Sequence, residues 1–115
     1  MAVIVAVQDV SLVGLDPAYV AADAGLAQTF ENRDERVMFE VVNGGGGAVL
    51  VTISATRACN HGFTHDISES VPAGQNRVFG PFDKERFNTS AGIVDVAYDQ
   101  VTTVTVAALR LPKAP

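Results

Sequence analysis

Cys59, His61, His65 and Asp66 bring a thiol, two imidazoles and a carboxylate within eight positions of the chain. Zn²⁺ accepts all three ligand types, so this segment has the strongest claim to metal chemistry. Its layout argues against one. The ligands share a single loop, whereas structural zinc sites draw pairs from separate elements, and no second pair occurs elsewhere. The segment reads instead as a crossover between strands, with Cys59 buried and the histidines bonding backbone groups. The Gly44-Gly45-Gly46-Gly47 run invites a phosphate-loop reading, but such a loop needs Lys-Ser/Thr after the glycines and then a helix. Here Ala48-Val49-Leu50 follows and a strand continues. Nucleophilic catalysis needs a nucleophile beside a base that a third group orients. Cys59 and His61 are close in sequence without any such geometry implied, and no Gly-x-Ser-x-Gly elbow occurs. Asp9, Asp16, Asp23, Asp95 and Asp99 are scattered as turn or surface groups. No catalytic, metal or cofactor-binding residue is expected, and no cofactor.

Two further clusters have plain readings. Glu31-Asn32-Arg33-Asp34-Glu35-Arg36 mixes both signs of charge, as a solvated turn does, with a polar contact to a partner as the other reading. Phe79, Phe82 and Phe87 around Pro81 read as core and corner packing.

The elements that must hold these groups are strands. Val and Thr are abundant, and β-branched side chains suit a pleated surface. Segments 36–42 and 48–54 flank the glycine run and predict a hairpin. Residues 66–71 alternate polar and apolar, and Pro72-Ala73-Gly74 predicts a reverse turn with Pro72 at its first central position. Strands are expected at 76–79, 92–98 and 104–111. In the fifth of these segments Val94, Val96 and Tyr98 should face inward, because Asp95 belongs in water. About six strands at 8–12-residue spacing predict an all-β fold, an antiparallel β-sandwich of jelly-roll or Ig-like type. Val41, Val51, Ile53, Val94, Val96, Val104 and Val106 are expected in its core. Helix is expected only as single turns, at 83–87 and at Pro17–Ala24 with Asp16 as N-cap.

The 115 residues predict one core. Eight Lys+Arg against thirteen Asp+Glu leave a net charge of −5. That balance excludes the cationic field on which nucleic-acid binding depends, and it argues against anionic membranes. Hydrophobic residues make up 48% and charged ones 18%, which excludes disorder for most of the chain. A single cysteine excludes an internal disulfide. No run reaches the ~18 apolar residues of a membrane span. Met1–Val7 is apolar but lacks a cationic start and soon meets Asp9, so it does not read as a signal peptide. Synthesis in a reducing cytoplasm follows.

Residues 1–30 differ from residues 31–115. They are Ala-rich and irregular, and Val3, Val5 and Val7 alternate with Ala2, Ile4 and Ala6, so both faces are apolar. Such a strand needs cover on both sides. Two readings are open: a first strand of the same sandwich, or an extended N-terminal arm that packs on a neighbouring chain. The arm reading makes Val3, Val5, Val7, Val10, Leu12, Leu15 and Tyr19 the partner-binding residues.

The order of features carries a resemblance. Val7-Gln8-Asp9-Val10 precedes Gly14-Leu15, Tyr19-Val20-Ala21-Ala22 and Phe39-Glu40-Val41-Val42-Asn43-Gly44-Gly45. Val71-Pro72-Ala73-Gly74, Phe79-Gly80-Pro81-Phe82, Phe87-Asn88, Gly92–Tyr98 and Val104–Leu111 follow. From about Val7 to Leu111 this resembles small virion structural proteins of tailed bacteriophages, of the head decoration (cement) type. The resemblance implies a non-enzymatic β-rich protein on the capsid exterior, made in the bacterial host cytoplasm. Its partners would be the major capsid protein and copies of itself. A tail or neck structural protein shares these features, and a soluble ligand-binding β-sandwich is a third class. One departure is Arg33-Asp34-Glu35, where the resemblance leads one to expect a smaller turn containing glycine.

Overall fold

In the computed structural model, which describes residues 3–23, 25, 27–56 and 65–111, strict alternation decides which side chains meet. In Ile93–Tyr98, Val94, Val96 and Tyr98 are buried while Ile93, Asp95 and Ala97 are half-buried on the other face. Val49, Val51 and Ile53 point inward in the same way, as do Val37, Phe39 and Val41, and Val104, Val106 and Ala108, while Glu40 and its cross-strand partner Ala107 are buried on the other face. These inward rows face one another across two sheets and form the core. All seven residues expected there are buried, and the fold is an all-β sandwich.

The described elements are β1 (Val3–Ile4), β2 (Val7–Asp9), β3 (Val20–Ala21), β4 (Ala27–Glu31), β5 (Val37–Asn43), β6 (Val49–Ile53), β7 (Ile67–Val71), β8 (Asn76–Phe79), α1 (Lys84–Phe87), β9 (Ile93–Tyr98) and β10 (Val104–Arg110). One sheet runs β1-β4-β9-β6-β7; the other runs β2-β10-β5-β8, with β3 also on β10. The β1–β4 and β2–β10 pairs are parallel and the others antiparallel. From β3 onward, every connection except β6–β7 crosses from one sheet to the other.

The expected hairpin across Gly44–Gly47 is therefore corrected. β5 lies between β10 and β8, and β6 lies between β9 and β7, so the glycine run is an arch from one sheet to the other. Asn43, 1% exposed, fixes the arch. Its amide nitrogen donates to Gly47 O (2.8 Å) and Val71 O (3.0 Å), and its side-chain oxygen accepts from Gly45 N (3.0 Å). The next crossing, at residues 72–75, docks on the same residue: Gly74 N donates to Asn43 O, and Asn43 N donates to Gln75 O. Within that turn Gln75 N bonds Pro72 O, which puts Pro72 at the first corner rather than at a central position.

The helical turn at 83–87 forms as α1, with the Asp83 carboxylate accepting from Glu85 N at 2.8 Å. The one expected at Pro17–Ala24 does not form. Val20 and Ala21 instead pair with Val106 and Thr105, and Ala22 N donates to Val104 O. β10 has backbone groups to satisfy along that edge, and an extended chain supplies them where a single helical turn cannot. At the opposite end from the Asn43 arch, Phe82 and Phe87 close the core. Phe30 stacks on Phe39 at 5.0 Å, and Phe82 reaches Phe30 and Phe87 at 5.4 Å each.

The open side of the sandwich lies between β7 and β8. Glu69 stands opposite Val51 and Arg77 opposite Val41, so both occupy core-facing positions of edge strands. Their ion pair, at 3.2 Å, bridges the gap between the sheets.

Candidate functional site

Of the residues singled out for chemistry, only part lies among the described residues. Cys59 and His61 lie outside the described residues. Asp66 is occupied in holding a strand end, accepting from Ala55 N at 2.8 Å, and the His65 carbonyl accepts from Arg86 Nη2 at 2.9 Å. Among the described residues no group of three or more His, Cys, Asp or Glu is placed to hold a metal. In the glycine run, the Gly44 and Gly45 amides that a phosphate would need are bonded to Thr103 O and to Asn43. Asp99 accepts from Leu50 N.

The charged turn at 31–36 keeps Glu31, Arg33 and Glu35 exposed, and it also acts as a joint. The Asp34 carboxylate accepts from Nε (2.8 Å) and Nη2 of Arg110, whose Nη1 lies 3.4 Å from Asp9. Glu31 pairs with Arg33 at 3.2 Å, and Glu35 accepts from Lys84 N at 3.1 Å. The Asp9–Arg110–Asp34 and Glu31–Arg33 pairs line a hollow of about 250 Å³ with Val7 and Val37. Hydrogen bonding from Arg110 holds the Asp34 carboxyl below its ordinary value of 3.8, against a smaller opposing effect of desolvation. Glu35 has φ of +63°, where a glycine was expected nearby.

The N-terminal segment departs from the extended arm. β1 and β4 pair through Val3↔Gln28 and Ile4↔Thr29, and β2 and β10 pair through Val7↔Ala108 to Asp9↔Arg110. Between them the chain crosses the sandwich at Val5, which is 2% exposed and donates to Thr29 O. Both faces of this stretch are apolar because it serves both sheets in turn. A boundary at residue 30 falls inside β4, which lies between β1 and β9. Val5 is therefore a core residue, Val7 packs against the core, and Val10 and Leu15 are half-buried. Tyr19 is 42% exposed, with its hydroxyl donating to Glu40 at 2.6 Å. Asn76 donates to the other Glu40 oxygen at 2.8 Å, so this carboxylate, 8% exposed, joins Tyr19, β5 and β8. The bond to Glu40 raises the Tyr19 hydroxyl pKa.

The most exposed apolar side chains of the segment belong to one turn. Ser11, Leu12, Val13 and Gly14 close through Gly14 N to Ser11 O (3.0 Å) and Ser11 Oγ to Gly14 O (3.1 Å), with Gly14 at φ +91°. Leu12 and Val13 take the two central positions and are 88% and 96% exposed. Below them, the Gln8 side chain both donates to Ala18 O (2.8 Å) and accepts from Ala18 N (2.9 Å). Two large apolar side chains thus stand on a hydrogen-bonded base. Comparison with protein-family models, curated proteins and solved structures finds no match. Among the expected partner residues whose side chains are described, Val5, Val7, Val10, Leu12, Leu15 and Tyr19, Leu12 is almost fully exposed. Val13, at the tip, and Ile4, 69% exposed, were missed. The available signal was Ser11 three residues before Gly14, a turn spacing that sets Leu12 and Val13 outward together.

Proposed function

We propose that this chain is a non-enzymatic virion structural protein of the head decoration type, which binds the major capsid protein of a tailed bacteriophage and stabilises the assembled shell. The observation that carries the reading is the Ser11–Gly14 turn, which holds Leu12 and Val13 in water on a fixed base. Exposed apolar groups held this way suit binding through surface contact. The resemblance of the strand and turn order supplies the class of partner.

Such a protein acts by mass action. Binding the assembled shell and not its open form adds stability that grows with free protein concentration. Many weakly attached copies, each contacting more than one subunit, strengthen the whole without any single strong contact. The test is to incubate the full chain with expanded shells lacking it, sediment them, and heat the pelleted particles. Saturable attachment with a raised disruption temperature supports the proposal. Attachment to tails or necks and not to shells replaces it with the tail reading.

A further inference from the structure

We infer that the Leu12–Val13 turn is the anchor of the shell contact, inserting into an apolar pocket bordered by cationic side chains on the shell subunit; this rests on the decoration reading. Three observations select that occupant. First, the first 32 residues contain Asp9, Asp16, Asp23 and Glu31 and no Lys or Arg; Arg110 and Arg33 pair with Asp9 and Glu31, and Asp16, beside the turn, stands exposed. A second copy would bring the same negative field, whereas a basic rim is complementary. Second, Leu12 and Val13 cannot by themselves supply the ~800 Å² per partner of a stable interface, so two tips meeting would make too small a dimer. Two protruding side chains act as anchors when a larger partner surrounds them and excludes water. Third, the β7 and β8 edges are closed to a partner strand. β8 and β7 carry Arg77 and Glu69 at core-facing positions, an arrangement that blocks strand addition.

The base of the turn makes it an effective anchor. The Gln8–Ala18 pair and the Ser11–Gly14 bonds fix the backbone before contact, so little ordering entropy is lost on binding. Asp16, exposed beside the turn, is placed to meet the basic rim.

The experiment compares the full-length protein with Leu12→Ser/Val13→Ser and with Asp16→Asn in sedimentation against shells lacking it, at low and high salt. Both sites are exposed, so unchanged thermal midpoints are expected and are measured first. The double variant should bind about 30-fold more weakly or worse, as loss of an anchor does. Asp16→Asn should bind more weakly at low salt and show a smaller loss of binding on adding salt. Wild-type binding matched by the double variant overturns this inference and leaves the decoration reading standing. Failure of the wild type to bind shells overturns both. A concentration-dependent dimer in sedimentation equilibrium, lost in the double variant, makes a second copy the occupant and overturns the choice of partner.

Discussion

Asn43 and Asp34 show how single polar side chains set the joints of this fold. Asn43 reaches Gly47 O, Val71 O and Gly45 N from a site closed to water, so no solvent replaces those bonds when the side chain is cut back. Asn43→Ala should lose about 2–4 kcal/mol of unfolding free energy in urea titration, more than one hydrogen bond is worth, because buried partners are left unpaired. A loss under about 1 kcal/mol would mean that the arch holds without it. Val96→Ala, by contrast, removes only packing and should lose about 1–3 kcal/mol. Asp34 acts through charge. Its carboxyl is held below 3.8 by Arg110, so the native state binds a proton less readily than the unfolded chain. That stabilisation is complete above about pH 4 and is lost as pH falls through the lowered native pKa. Urea midpoints measured from pH 6 downward should therefore fall more steeply below about pH 4 for the wild type than for Asp34→Asn. Parallel acid limbs would show that the pair contributes nothing at equilibrium.

Among the elements, the strands from residue 37 onward were legible, β3 and β4 were not, and neither were the partners. Alternation over 93–98 and 104–110 depends on local pattern, and it placed Val94, Val96, Val104 and Val106 correctly. Whether a five-residue glycine-rich loop folds back as a hairpin or crosses as an arch depends on contacts made elsewhere. Here Asn43 meets Val71, 28 positions on, and Gly44 meets Thr103. Close approach enforces it: a Cβ on Gly45 would sit 2.7 Å from Thr102 O. The N-terminal stretch was ambiguous for a related reason. Two apolar faces fit an arm or a strand equally, and only the change of sheet at Val5 explains them. The joint at 31–36 went unread because its partners, Arg110 and Lys84, are far away in sequence. The β7 and β8 edges yield a test of their own. Glu69→Val with Arg77→Val removes the charges that keep both edges single, and the double variant should self-associate in sedimentation velocity at concentrations where the wild type does not. Identical profiles would show that the ion pair has no such guarding role.

At the scale of the whole molecule, the N-terminal segment does two jobs that mutation can separate. Residues 3–9 add a strand to each sheet and bury Val5, whereas residues 11–14 stand clear of the core. An arm could be removed without harm to the sandwich; this segment cannot. Deleting residues 2–20 strips β1 from β4 and β2 from β10, which leaves the backbone groups of two interior strands without partners. It also removes Val5, whose burial alone contributes about 1.5–3 kcal/mol. With the lost ladder bonds added, the truncated chain should melt at least ~10 °C below the wild type, since each kcal/mol moves the midpoint by about 4–8 °C in a domain near this size. The bared edges should also make it aggregate. Scanning calorimetry with light scattering measures both effects. Leu12→Ser/Val13→Ser serves as the control, because it alters the same segment while leaving every strand in place, and its midpoint should match the wild type. If the truncated chain melts with the wild type and stays monomeric, the sandwich is complete without its first twenty residues, and those residues are an arm after all.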